Sequence, residues 1–245
     1  MLMTKAVVLA AGRGSRLQSP IPKVLHKIFD KPVLAWVLDT LAEVELEEII
    51  VVCGYKAEEV EDFLHAYPVT TVVQSEQLGT GHALQIARDA IGDYEGSVLV
   101  VNGDCPLIES STINELLQEH QENILDLSFL SCNLEKPYGY GRVIRKGSDI
   151  MAIKEEKDCS EAEKLITEIN AEINGFSVPN VHTGGFQNAA NPEGSSNAVA
   201  IRCISIVFGQ TINTTESINC NVQWDTERTG TRVAPPRVST AITNS

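Results

Sequence analysis

The apolar run at residues 6–11 leads directly into Gly12-Arg13-Gly14-Ser15-Arg16. A strand that opens into a glycine-rich turn aims several backbone N–H groups and a helix N-terminus at one point, which makes an anion site. Glycines after a strand can also serve only a tight turn, so this signal needs support from residues further along the chain. Support comes from Pro22-Lys23-Val24-Leu25-His26, which returns a second cation to the same loop behind a rigid proline. Arg16 and Lys23 can then flank one polyphosphate over Leu9, Ala10, Ala11, Gly12 and Gly14. Phosphoryl and nucleotidyl transfer require positioning and neutralisation of charge on the phosphate oxygens rather than a protein nucleophile. Arg16 and Lys23 are the catalytic candidates, with Lys23 placed at the α-phosphate.

A third group is Asn102-Gly103-Asp104, at the end of the apolar run 97–102. A carboxylate at a strand end can hold a hard cation that bridges phosphates, and Mg²⁺ takes one or two protein ligands while keeping several waters. An Asp there can equally cap a helix. Pro106 and a helical pattern that starts only near Ser110 make the cap the less attractive alternative.

These groups need a scaffold. Short apolar runs at 6–11, 49–53, 69–73 and 97–102 alternate with helical spacing at 33–42, 57–66, 81–91 and 111–119. Strands that are apolar almost throughout and separated by helices predict an α/β fold, with a doubly wound, mainly parallel sheet covered on both faces. Ligands of such sheets bind beyond the carboxyl ends of the strands, where Gly12 and Asp104 would lie.

The chain has 245 residues, 43% of them hydrophobic, and a formal net charge of -14. That charge argues against nucleic acid as a partner, since phosphate backbones need clustered Lys and Arg. A small anionic ligand needs only a local cationic pocket. Cys53, Cys105, Cys132, Cys159, Cys203 and Cys220 show no Cys-x-x-Cys spacing, which disfavours a zinc site or disulfide framework and leaves free thiols. No apolar run approaches the roughly 18 residues that cross a bilayer. The N-terminal apolar run reads as a strand rather than a signal peptide, which gives the expectation of a cytoplasmic protein without a membrane partner.

The ordered motifs LAAGRGSR, PKVLH, Gln74 to Ala83 (QSEQLGTGHA), Asn102-Gly103-Asp104, Tyr140-Gly141-Arg142, Glu155-Glu156-Lys157-Asp158 and Glu168-Ile169-Asn170 together resemble the sugar nucleotidyltransferases. Within that superfamily they are similar to the N-acetylglucosamine-1-phosphate uridylyltransferases, over about residues 4–170. The resemblance implies a Rossmann-like nucleotidyltransferase fold, UTP and N-acetylglucosamine-1-phosphate as substrates, and Mg²⁺ as cofactor. It further implies that Gln74, Gly79 and Thr80 contact the uracil, that Gly139, Glu155 and Asn170 hold the sugar, and that Asn102, Gly103 and Asp104 belong to the substrate and metal site. Two alternatives stay open: another nucleotidyltransferase, cytidylyl or guanylyl, and a non-catalytic module that binds a nucleotide sugar.

Two departures accompany the resemblance. The family usually continues after the Asn170 motif with Thr-Gly, whereas this chain has Ala171-Glu172; and the family's second metal ligand, an asparagine, has only a weak echo at Asn219. Residues 1–170 are therefore read as the nucleotidyltransferase domain and 171–245 as an atypical segment. That segment has no Leu, Lys or Tyr, and Asn, Ser and Thr supply 25 of its 75 residues. A disordered tail and a shifted reading frame both fit this composition. Nothing in it resembles the hexapeptide repeats of the acetyltransferase half that the family's bifunctional members carry, so the oligomeric state is left open.

Overall fold

The computed structural model describes residues 3–14, 17–125, 127–147, 149–177 and 238–242. In chain order the elements are β1 (Thr4–Ala10), β2 (Lys27–Ile28), β3 (Lys31–Pro32), α1 (Val33–Ala42), β4 (Glu48–Cys53), α2 (Ala57–Leu64), β5 (Thr70–Val73) and α3 (Thr80–Ile91). They continue with β6 (Ser97–Asn102), α4 (Ser110–Glu122), β7 (Leu127–Asn133), β8 (Arg142–Lys146), β9 (Asp149–Lys154), β10 (Glu168–Ser177) and β11 (Val238–Ile242).

The four strands read from their apolar runs form the parallel part of the sheet, in the order β6-β1-β4-β5. Alternate residues along them go to opposite faces. Ala6, Val8, Ala10, Val51, Cys53, Leu99 and Val101 pack on one face against Leu34, Leu38 and Leu41 of α1, Val60 and Leu64 of α2, and Ile113 and Leu116 of α4. Val7, Ile50, Val52, Val98 and Val100 pack on the other face against Ala83, Leu84, Ala87 and Ile91 of α3. Burial on both faces is the reason these strands are apolar at nearly every position.

Beyond β6 the sheet changes sense. β10 lies antiparallel between β6 and β7, β8 pairs antiparallel with β10 and β9, and β11 joins β7 in parallel. The doubly wound, mainly parallel half thus carries an antiparallel extension that the apolar runs did not announce. β10 also runs through position 170, where the composition changes, and continues beside β6 to Ser177.

Topology fixes where a ligand can lie. From β1 the chain moves outward through β4 and β5, then returns to the other side of β1 as β6. The order therefore reverses between β1 and β6, and a crevice opens past their carboxyl ends. Leu9 of β1 is in register with Asn102 of β6, so the loops after both strands start at the same edge. Cys53 and Cys159 are buried, Cys105 and Cys132 are half-buried, and none of these four forms a disulfide. No helix among the described residues is long and apolar enough to cross a membrane.

Candidate active site

A cleft of about 450 Å³ sits at the reversal point, lined by Leu9, Ala11, Gly12, Lys23, Val24, Gln74, Gln77, Gly79, Thr80, Ala83, Asn102, Asp104 and Gly139. It joins groups from the ends of β1, β5 and β6, the start of α3 and the turn before β8. Nine of the residues expected from the sequence line it directly: Leu9, Ala11, Gly12, Lys23, Gln74, Gly79, Thr80, Asn102 and Asp104. Gly139 makes a tenth, contributed from the turn before β8.

The loop after β1 is pinned by its neighbours. Tyr55 N–H donates to the Ala11 carbonyl at 3.1 Å, and a Cβ on Gly54 would lie 2.7 Å from that same oxygen, so only glycine lets the two segments meet. The Arg13 guanidinium stacks 5.3 Å over the Tyr55 ring. Gly14 has φ +63 and rests against the stem of Lys23, where an added Cβ would come within 2.8 Å of the Lys23 Cβ. Lys23 opens a short 3-10 turn, Lys23–Leu25, whose middle residue Val24 is buried in the core beneath α1. The buried Val24 holds the turn down and leaves Lys23 on the cleft, where its ammonium forms an ion pair with Asp104. Arg16 and Asn219 lie outside the described residues.

On the opposite wall, Gln74 is 2% exposed and its N–H donates to the Cys53 carbonyl at 2.7 Å. Its Nε2 donates to the Gly79 carbonyl at 3.1 Å, closing the segment between β5 and α3 into a loop. His82 Nδ1 lies 3.0 Å from that Nε2 and 2.9 Å from the Glu76 carbonyl, accepting from the first or donating to the second according to tautomer. Gly79 has φ +99, a backbone that glycine adopts without strain, and starts α3 so that its N-terminal turn faces the cleft.

Gly103 continues β6 by donating its N–H to the Leu9 carbonyl at 2.9 Å, and a Cβ there would meet that oxygen at 3.1 Å. Asp104 follows at the cleft floor. Among the described residues no cluster of three or more His, Cys, Asp or Glu could hold a metal. A single carboxylate beside an anion loop fits a hard cation that draws its other ligands from substrate phosphates and water.

The sugar-side expectations land less directly. Glu155 and Asn170 are outside the residues that line the cleft, as is Ala10 of the expected phosphate loop, which is buried in β1. Asn170 is buried in β10, and its N–H donates to the Gly141 carbonyl at 3.1 Å. The Glu155 carboxylate also approaches Gly141. Both therefore back the glycine turn that presents Gly139. The carboxylate that touches Gly139 is the next one: Glu156 Oε2 accepts from Gly139 N–H at 2.7 Å and from Arg142 Nη2 at 2.9 Å. The Gly139 N–H, then Arg142, hold the Glu156 carboxyl below its ordinary range. Sequence reasoning also passed over Val24, Gln77 and Ala83. Val24 and Ala83 read as core positions by their apolar character, and Gln77 differs in no local signal from the exposed polar residues around it.

The fold is that of the nucleotidyltransferases. It matches the solved structure of UDP-glucose pyrophosphorylase complexed with UDP-glucose with a TM-score of 0.61 at 19% identity, covering 72% of this chain and 76% of that one. Apo UDP-glucose pyrophosphorylase matches with a TM-score of 0.60 at 18% identity, covering 72% and 77%. Residues 6–146 match the MobA-like NTP transferase domain, and the chain belongs to that family. Among curated relatives, the bifunctional protein GlmU of Alkaliphilus metalliredigens is 47% identical over 173 residues, 70% of this chain and 38% of that protein. Those of Syntrophotalea carbinolica and Thermoanaerobacter pseudethanolicus are 42% identical over 174 residues and 46% over 166 residues. The chain spans less than half the length of these relatives.

Proposed function

We propose that this chain transfers the uridylyl group of UTP to N-acetylglucosamine-1-phosphate, releasing pyrophosphate, with Mg²⁺ as its cofactor. The observation that carries this reading is that one cleft gathers the Gly12 loop with Lys23, the Gln74–Gly79–Thr80 wall, Asp104 and Gly139. The similarity to GlmU proteins over about 70% of the chain supports the choice of substrates.

In this reading UTP lies over Leu9, Ala11 and Gly12, with its triphosphate at the loop and its base against Gln74, Gly79 and Thr80. A uracil edge offers acceptors and one donor, and a wrong base leaves buried polar groups unpaired. Asp104 would hold Mg²⁺, which would supply positive charge to offset that of the phosphates. Gly139, backed by Glu155 and Asn170, holds the sugar phosphate, whose oxygen attacks the α-phosphorus in line as pyrophosphate leaves. The Lys23 ammonium neutralises the charge that builds on the α-phosphate oxygens. No protein nucleophile takes part.

The test is pyrophosphate release from UTP and N-acetylglucosamine-1-phosphate, run beside CTP, GTP and dTTP. Lys23→Ala should lower kcat roughly 100- to 1000-fold, the scale for losing one charge-stabilising donor. Equal rates for parent and variant would remove Lys23 from the mechanism. Turnover confined to another nucleotide would replace the substrate.

A further inference from the structure

Arg142 is the largest fully buried side chain among the described residues, and its Nε finds no hydrogen-bond acceptor there. Burying a guanidinium with a donor unpaired is unfavourable, so its remaining contacts need a reason. Those contacts converge on one turn. Residues 137–140 form a β-turn, with Tyr140 N–H donating to the Pro137 carbonyl at 3.3 Å and Gly139 at φ +84 in the position that requires a left-handed residue. Arg142 Nη1 donates to the Tyr140 carbonyl, and Arg142 Nη2 donates to Glu156 Oε2. The same Oε2 accepts from Gly139 N–H. The ring of contacts is closed, and it grips the turn on both sides of its cleft-lining residue.

We infer that Arg142 and Glu156 are positioning residues: they clamp the turn so that Gly139 meets the acceptor substrate, and they thereby set affinity for the sugar rather than for the nucleotide. This rests on the proposed sugar-phosphate reading of that side of the cleft. With its N–H given to Glu156, Gly139 keeps only its carbonyl for a ligand, and a carbonyl recognises a donor. A sugar hydroxyl or an amide N–H is such a donor, whereas a phosphate oxygen is not. Glu155, one residue earlier, and Asn170 brace the same turn through Gly141.

Steady-state kinetics on the full chain separate the two substrates, and thermal melting runs in parallel. Glu156→Gln should raise KM for the sugar phosphate about 10-fold, the scale for weakening one charge-assisted hydrogen bond. KM for UTP should stay within about two-fold by the same reasoning. Glu156→Asp should show a smaller rise in the same constant. The double variant Arg142→Met/Glu156→Gln removes both charges, and should recover much of the melting temperature lost by Glu156→Gln alone while leaving the sugar KM high. If KM values for both substrates move together, or the double variant restores the sugar KM, the clamp is only a stability element and the inference is overturned. Absence of uridylyl transfer in the parent overturns the functional reading instead. Amide exchange at Gly139 in the ligand-free protein then decides the clamp by itself. Faster exchange in Glu156→Gln supports it, and an unchanged rate overturns it.

Discussion

Gly12 and Gly14 sit two residues apart in one loop, and the structure gives them different tasks that a pair of alanine substitutions can separate. Gly14 has φ +63, where alanine costs about 1–2 kcal/mol. Its Cβ would also lie 2.8 Å from Lys23 Cβ and 3.2 Å from Cγ, so Lys23 must shift by several tenths of an ångström. Lys23 is anchored from below by the buried Val24 and from across the cleft by Asp104, which limits how freely it can move. Gly14→Ala should therefore lower the melting temperature by about 2–8 °C for a chain of this size. It should also lower kcat roughly 10- to 100-fold, since misplacing a charge-stabilising group by less than 1 Å carries costs of that order. Gly12 has no atom within 4 Å of an added Cβ and lines the cleft. Gly12→Ala should leave the melting temperature within about 1 °C, as expected of a substitution that touches no other group. Its methyl instead enters the open cleft, where the proposed reading lays the UTP phosphates, so KM for UTP should rise with little change in kcat. Melting by circular dichroism and pyrophosphate release measured on both variants decide the matter. A Gly12→Ala variant that melts as low as Gly14→Ala, or a Gly14→Ala variant with parental stability and kcat, would refute the reasoning.

Three further outcomes rest on local geometry. Gln74→Met removes a buried side-chain donor to the Gly79 carbonyl, which keeps the Ala83 N–H, and should cost about 0.5–1.5 kcal/mol in urea denaturation while narrowing the preference for UTP over CTP. An unchanged nucleotide preference would take Gln74 out of base recognition. The two-residue hairpin between β2 and β3 places Phe29 and Asp30 at φ +50 and +65, where Asn-Gly is the favoured pair. Asp30→Gly should raise the melting temperature by about 2–4 °C, and a fall would contradict the left-handed turn. Glu163 is pulled from the ordinary 4.5 to about 2, first by the Lys154 ammonium and then by the Ser160 N–H and hydroxyl. A depressed carboxyl stabilises the folded state above its unfolded pKa, and that contribution is lost as pH falls from about 4.5 towards 2. Glu163→Gln should be less stable than the parent at pH 7 by about 1 kcal/mol or less. The gap should close as the parent is acidified through that window, and a gap that is constant with pH would exclude the assignment.

The parallel half of the fold and the floor of the site were legible because their signals are local. β1, β4 and β6 are buried on both faces, so their apolar runs stand out. α1 through α4 bury one stripe each, which imposes the helical spacing. The antiparallel extension left no such mark. β10 carries Glu168 and Asn170, polar residues that the tertiary structure satisfies with Arg145 and Ser131 for the first and a buried place beside Gly141 for the second. Its pairing with β6 joins segments far apart in the chain, and nothing local encodes that.

The sequence by itself determined which groups the cleft brings together: a glycine loop after an apolar strand, Lys23 behind a proline, Asp104 at a strand end and Gln74 ahead of Gly79. Residue type and spacing suffice there, because each group sits at the end of an element that the sequence makes legible. Only the tertiary structure decided which of two adjacent carboxylates meets Gly139. Glu155 and Glu156 have the same charge and length, and the 3-10 turn Glu156–Asp158 sends the second towards Gly139 and the buried Arg142. That choice is made by backbone direction and by burial of a distant guanidinium, and both arise only once β8, β9 and β10 have assembled.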